Sequence, residues 1–179
     1  HSWDAPPPHG GSARPLLPKT VEALAGRRVI AVSAGAWHSF ALAADGSVWS
    51  WGHGGFGKLG HGDEQNQLLP KKVEAFAGLC VVVLSVGWQH SFALSADGAV
   101  WSWGCGWNGR LGYGDQQHQL LPKKVEALAG QRAVAASAGA RHSIALTADG
   151  SVWSWGGGAW GKLGHGDQQH QLLPKKIEA

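Results

Sequence analysis

The stretch GWQHSFALSADGAVWSWGCGWNGRLGYGD, residues 87–115, decides the fold because it occurs three times. It returns as GAWHSFALAADGSVWSWGHGGFGKLGHGD at 35–63 and as GARHSIALTADGSVWSWGGGAWGKLGHGD at 139–167. The step between copies is 52 residues without insertion or deletion: His38, His90 and His142 keep it, as do Trp51, Trp103 and Trp155. Pro18, Pro70, Pro122 and Pro174 extend the same register. Residues 69–120 and 121–172 agree at 35 of 52 positions. Unbroken self-similarity at this period marks a repeat architecture in which each unit buries its apolar face against its neighbours. The units divide as residues 17–68, 69–120 and 121–172. Residues 1–16 read as the degenerate end of a preceding repeat and 173–179 as the start of a further one.

Within one unit the local signals are for strands. Val81–Ser85, Ser91–Ser95 and Val100–Trp103 are short runs rich in β-branched and aromatic residues. Asp97-Gly98 sits between the last two, and Asp-Gly is a strong hairpin signal because both residues tolerate left-handed backbone. A fourth strand is expected at Lys72–Phe76, entered through Pro70. Alanine-rich Val125–Ala129 resembles a helix start, but Gly130 ends it, so helix-pair solenoids are the weaker reading. Four short strands per unit predict an all-β fold: β-propeller blades of four antiparallel strands, in an incomplete, open arc of about three and a half blades.

The motif G-x-x-H-S-x-A-L-x-x-D-G-x-V-W-x-W-G-x-G-x-x-G-x-L-G-x-G-D resembles the repeat of the regulator of chromosome condensation family. The resemblance implies a seven-bladed ring, about twice what this chain supplies. It also implies two functions to weigh: guanine-nucleotide exchange on a Ran-like small GTPase, and the light sensing of the plant UV-B photoreceptor branch. Exchange members use loops beyond the regular blade, and the constant period leaves no insertion to serve as one. The photoreceptor branch carries tryptophans in G-W-R-H-T motifs. Here Trp88 stands in Gly87–Ser91 without the arginine, and Arg141 stands in the next copy without the tryptophan, so no single repeat has both.

Several motifs invite a chemical reading and fail on context. Gly52–Gly57, Gly104–Gly109 and Gly156–Gly161 match G-x-G-x-x-G, but Leu59 and Leu163 stand where a magnesium-binding hydroxyl would be needed, and glycines rather than a helix follow. His38-Ser39 with Asp45 holds the residue types of a hydrolase triad, yet adjacent strand side chains point to opposite faces. Equivalent histidines on neighbouring sheets are about 10 Å apart, too far for shared zinc ligation. No catalytic residue, metal or cofactor is therefore expected. Trp51, Trp103 and Trp155 read as wedge fillers between blades. Each of His38, His90 and His142 reads as tying its strand to a neighbouring loop, and Asp63, Asp115 and Asp167 as acceptors in glycine turns. His61, His118, His165 and His170 read as solvated turn histidines.

A net charge of +3 is too small to predict a nucleic-acid binder alone. The recurrent pairs Lys71-Lys72, Lys123-Lys124 and Lys175-Lys176 offer a basic rim for an acidic partner, but a glutamate follows each, which favours a solvated face. Cys80 and Cys105 do not recur and read as reduced thiols. No apolar run is long enough for a leader or membrane span, so a soluble cytoplasmic or nuclear protein is expected, and the missing methionine predicts a trimmed or partial product.

The positions where near-copies disagree are the informative ones. Differences gather at 36–37, 88–89 and 140–141 and at 53–56, 105–108 and 157–160, where Trp37, Trp88 and Arg141 in one loop set and Phe56, Trp107 and Trp160 in another are residue types enriched at binding hot spots. These are the candidate partner contacts of a protein-interaction scaffold. Unpaired blade edges also predict self-association.

Overall fold

The computed structural model describes residues 17–178. Three four-stranded antiparallel sheets follow one another, each formed by consecutive strands. The first sheet contains β1 (Val29–Ala34), β2 (His38–Ala43), β3 (Val48–Gly52) and β4 (Gln67–Lys72). The second contains β5 (Val81–Val86), β6 (His90–Ser95), β7 (Val100–Gly104) and β8 (Gln119–Lys124). The third contains β9 (Ala133–Ala138), β10 (His142–Thr147), β11 (Val152–Gly156) and β12 (Gln171–Lys176). β1, β5 and β9 lie side by side along the inner edge, and β4, β8 and β12 form the outer rim. Among the described residues the three blades make an open arc.

The outermost strand departs from expectation. It runs through Pro70, from Gln67 to Lys72, and Glu74–Phe76 is a single 3-10 turn. The ladder between β3 and β4 skips from Ser50↔Lys71 to Gly52↔Gln67. Proline is tolerated in such an irregular edge strand because its missing N–H would not have been used. The unit boundaries cut at 68/69 and 120/121 therefore fall inside outer strands, and residues 173–176 complete the third sheet instead of opening a fourth. Val125–Ala129 contains only the 3-10 turn Glu126–Leu128. The preceding repeat end at 1–16 lies outside the described residues.

The core lies between blades. One cluster joins Phe40, Leu42, Val48, Val73 and Phe76 of the first blade region to Val81, Ala93 and Trp103 of the second. The next joins Phe92, Leu94, Val100, Val125 and Leu128 to Ala133, Ala145 and Trp155. Trp103 is fully buried edge-on against Phe40 and Phe76, with centroids 5.6 and 5.5 Å away. Its indole N–H donates to the Lys58 carbonyl at 2.9 Å, back across the seam. Burying a tryptophan of 150–250 Å² is worth about 4–6 kcal/mol.

A polar ladder runs beside the tryptophans. The Ser91 hydroxyl donates to the same Lys58 carbonyl at 2.9 Å, and Ser143 donates to the Arg110 carbonyl at 2.8 Å. Each hydroxyl has one proton, so each accepts from a histidine of the preceding blade: His38 Nε2–H at 3.0 Å and His90 Nε2–H at 3.2 Å. Each histidine thus bonds the next blade's strand serine, not a loop. Burial, with the nearby Lys58 and His53 charges, lowers the His38 pKa to about 3, and burial holds His90 far below the usual range.

Two outcomes follow. Trp103→Ala should cost about 3–5 kcal/mol in chemical denaturation, and Trp51→Ala distinctly less because Trp51 is only half-buried. Between pH 6.5 and about 3 the unfolded chain binds protons that folded His38 refuses, and His90, held well below its usual range by burial, acts in the same direction. Stability is therefore present above pH 6.5 and falls with acidification, by up to about 1.4 kcal/mol per pH unit for each histidine. Urea midpoints across this range should fall less steeply in His90→Gln.

Candidate functional site

Two loop sets open on the same face of the arc. The β1–β2 loop is short, and the longer β3–β4 connection leaves from the adjacent strand end, where His38 pairs with Gly52 and the His53 N–H donates to the Trp37 carbonyl at 2.8 Å. Every position at which the blades disagree among the candidate contacts lies in one of these loops.

The β3–β4 connection begins with a one-turn 3-10 helix in each blade. Its central residue is left-handed: Phe56 at φ 62°, Asn108 at φ 62° and Trp160 at φ 67°. Asparagine suits this conformation, whereas a bulky L-residue is strained there by about 1–2 kcal/mol. Phe56 gains a compensating contact. Its ring meets Trp107 at 5.0 Å and His118 at 4.9 Å, both in the next blade, and those two lie 5.5 Å apart. Trp160 is 90% exposed and gains no such contact among the described residues.

The next seam brings together two side chains that no single repeat contains. The Arg141 guanidinium stands 5.9 Å from the centroid of Trp88, at the outer limit of a cation–π contact. Arg110 lies beneath this loop and is 2% exposed. It donates to the carbonyls of Trp107 at 2.9 Å and Ala140 at 3.2 Å, which ties the Arg141 loop to the blade before it. Lys58, its counterpart one blade earlier, is 1% exposed and bonds His53 Nδ1. Burial lowers the Lys58 pKa to about 8. Cys105 is buried between these two cations. The basic residue recurs at 58, 110 and 162, a signal that was open to sequence reading.

Of the six candidate contacts, Phe56 and Trp107 touch, Trp88 and Arg141 touch, and Trp37 and Trp160 stand apart and exposed. The turn histidines are not simply solvated. His118 and His170 accept the N–H groups of Gly106 and Gly158 at 3.1 Å, and His61 and His165 bond Ser50 and Ser154 at 3.0 Å. Asp63, Asp115 and Asp167 accept the N–H two residues on, at 2.9–3.0 Å. The glycine-loop amides are committed to the fold, Gly57 to Gly54, Gly60 to Gly57 and Gly62 to Leu120, so they do not cradle a phosphate. On the outer rim Lys123 stacks on Tyr113, and Lys72 pairs with Glu74 at 3.6 Å, an exposed contact of little energetic weight.

A family model described as RCC1-like domain matches residues 7–179. The chain belongs to this family. As an RCC1-like domain it is 36% identical over 171 residues to the ultraviolet-B receptor of Arabidopsis thaliana, a match covering 96% of this chain and 39% of that protein. It is 38% identical over 172 residues to the E3 ubiquitin-protein ligase HERC2 of Homo sapiens, covering 95% of this chain and 4% of the ligase. The structure of Prp20p from Saccharomyces cerevisiae, described with its binding properties to Gsp1p and histones, superposes with a TM-score of 0.76 at 27% identity. That match covers 86% of this chain and 39% of Prp20p. The RCC1-like domain here thus spans well under half the length of these relatives. Among its described residues no helix is long and apolar enough to cross a membrane.

Replacing Trp160 by glycine should raise the denaturation midpoint of the dilute chain, because it relieves left-handed strain and gives up almost no burial. Phe56→Gly should lower it, since the ring cluster across the seam is lost. Paired urea melts of the two variants read the opposite signs.

Proposed function

We propose that this RCC1-like domain is a protein-interaction scaffold in the cytoplasm or nucleus, with no catalysis of its own, and that it engages its partner through the face bearing Trp37, Phe56, Trp88, Trp107, Arg141 and Trp160. One observation supports this above the rest. The side chains by which near-identical blades differ in the β1–β2 and β3–β4 loops lie on a single face, and four of them form aromatic and aromatic–arginine contacts that straddle the seams. A blade needs none of those identities to fold, and aromatic and arginine anchors carry a large share of interface energy.

Nucleotide exchange on a Ran-like GTPase is the weaker reading, because the 52-residue period leaves no protruding loop to act as a wedge. Light sensing gains support from the Arg141–Trp88 contact, which assembles across two repeats the pair that neither repeat holds alone.

For the scaffold reading, the double variant Trp88→Ala/Trp107→Ala should lose the proteins that the wild-type chain captures, while Lys71→Ala/Lys175→Ala on the outer rim keeps them. Equal capture by both variants removes the assignment to this face. For light sensing, UV-B illumination should shift the oligomer mass of the wild type and leave Arg141→Ala unchanged.

A further inference from the structure

One position of the repeat supplies each blade's loop with an acceptor, and the copies fill it differently. It is Asn66 in the first blade, His118 in the second and His170 in the third. The buried Gly54 N–H donates to Asn66 Oδ1 at 2.9 Å. The buried Gly106 and Gly158 N–H groups donate instead to the Nδ1 atoms of His118 and His170, each at 3.1 Å. All three bonds pin the start of the β3–β4 connection to the stretch that leads into the outer strand. They differ in one chemical respect. An amide oxygen accepts at any pH, whereas an imidazole nitrogen accepts only while the ring is neutral, because a protonated ring is a donor at both nitrogens.

The other side of each ring is engaged across a seam. His118 packs on Phe56 of the preceding blade at 4.9 Å and on Trp107 at 5.5 Å, and His170 meets the Asn108 side-chain amide at 3.1 Å. The backbone beneath these contacts is clamped. Gly57 and Gly109 lie so close under Leu120 and Leu172 that a Cβ there would sit 2.5 or 2.6 Å from the leucine Cα. A ring that leaves its place therefore disturbs the side chains of the loop face before it disturbs the turn. The loops meeting at His118 carry His53, Lys58, His61, Asp63 and Glu64 from the first blade, and Cys105, Arg110 and Asp115 from the second. Those meeting at His170 carry Arg110 and Asp115 from the second blade, and Arg141, Lys162, His165 and Asp167 from the third. Lys58 bonds His53, Arg110 bonds carbonyls, and the three aspartates accept backbone N–H groups. Among the described residues no carboxylate pairs with either histidine, so none waits to hold a protonated ring in place.

We propose that His118 and His170 are a proton switch on the partner-binding face. A proton taken up at Nδ1 breaks the bond from Gly106 or Gly158 and frees the ring from Phe56 and Trp107, or from Asn108. The aromatic cluster then loses one corner, and the face loses hold of its partner. The first-blade loop, closed by Asn66, keeps its shape throughout. Between about pH 8 and about pH 5 histidine is the ordinary side chain that gains charge, so the switch works within the range of cellular compartments. As regulation this rests on the scaffold reading of the face; the rearrangement itself needs no partner.

The test is NMR of the full chain between about pH 8 and about pH 5, following the ring signals of the two histidines beside the amides of Gly54, Gly106 and Gly158. As each ring takes up its proton, the Gly106 and Gly158 amides should shift and lose protection from hydrogen exchange, while Gly54 stays unchanged. In His118→Asn, which carries the first blade's acceptor, Gly106 should cease to respond while Gly158 still does, and His170→Asn should show the reverse. Proteins captured by the wild type at the upper pH should be lost at the lower one and retained by the double Asn variant. Three glycines that respond alike overturn the proposal, because general acid destabilisation through His38 and His90 does the same. Rings that stay neutral until the chain unfolds, or that charge while Gly106 and Gly158 stay put, also overturn it. Capture indifferent to pH, with the amides responding, overturns the regulation and leaves the scaffold reading standing. The scaffold reading fails separately, through capture that survives Trp88→Ala/Trp107→Ala, and the amide response does not depend on that result.

Discussion

The structure depends on a buried backbone carbonyl at the first seam, an arrangement of which the second keeps one half: the Arg110 oxygen accepts from Ser143, while the Trp155 indole N–H has no partner among the described residues. At the first seam the Lys58 oxygen accepts from the Trp103 indole and from the Ser91 hydroxyl, both in the blade that follows. The geometry requires an aromatic plate with a donor on one edge, a small hydroxyl beside it, and a chain reversal that aims the carbonyl backward. These are the Trp, the Ser of His-Ser, and the glycine loop of the repeat. No blade has a core of its own, since both apolar clusters are shared between neighbours. A unit of four strands is therefore a surface awaiting its neighbour, and stability accumulates seam by seam.

Much of this was legible in the sequence because repetition carries information that propensity alone does not. The 52-residue step, the Asp-Gly hairpins and the inner three strands are all readable from the copies. The outer strand was misplaced because Pro70 reads as a strand boundary, whereas an edge strand with an irregular ladder admits it in mid-run. The histidine's partner was hidden for a different reason: it lies 53 residues away, and adjacency along the chain says nothing about contact across a seam.

The candidate face shows the same division. Sequence comparison between copies could pick out Phe56, Trp107, Trp88 and Arg141 as the positions of difference. It could not pair them, because each pair draws one member from each of two blades. His118 reads from the sequence as a solvated turn histidine, yet it forms one corner of the aromatic cluster. Lys58 and Arg110 lie in glycine-rich loops, where a charged side chain is ordinarily solvated. The seam instead encloses their stems, and carbonyls or a histidine receive their charged ends.

The close passage of Gly57 under Leu120, repeated by Gly109 under Leu172, bears on how such a chain can change in length. A shift by one whole period brings a glycine under the next leucine and leaves the tryptophan facing its carbonyl. Most smaller shifts drive a side chain into backbone already at contact distance. Tolerance to insertion and deletion is then quantised: a gene encoding this fold can add or drop a blade more easily than a single codon within the seam.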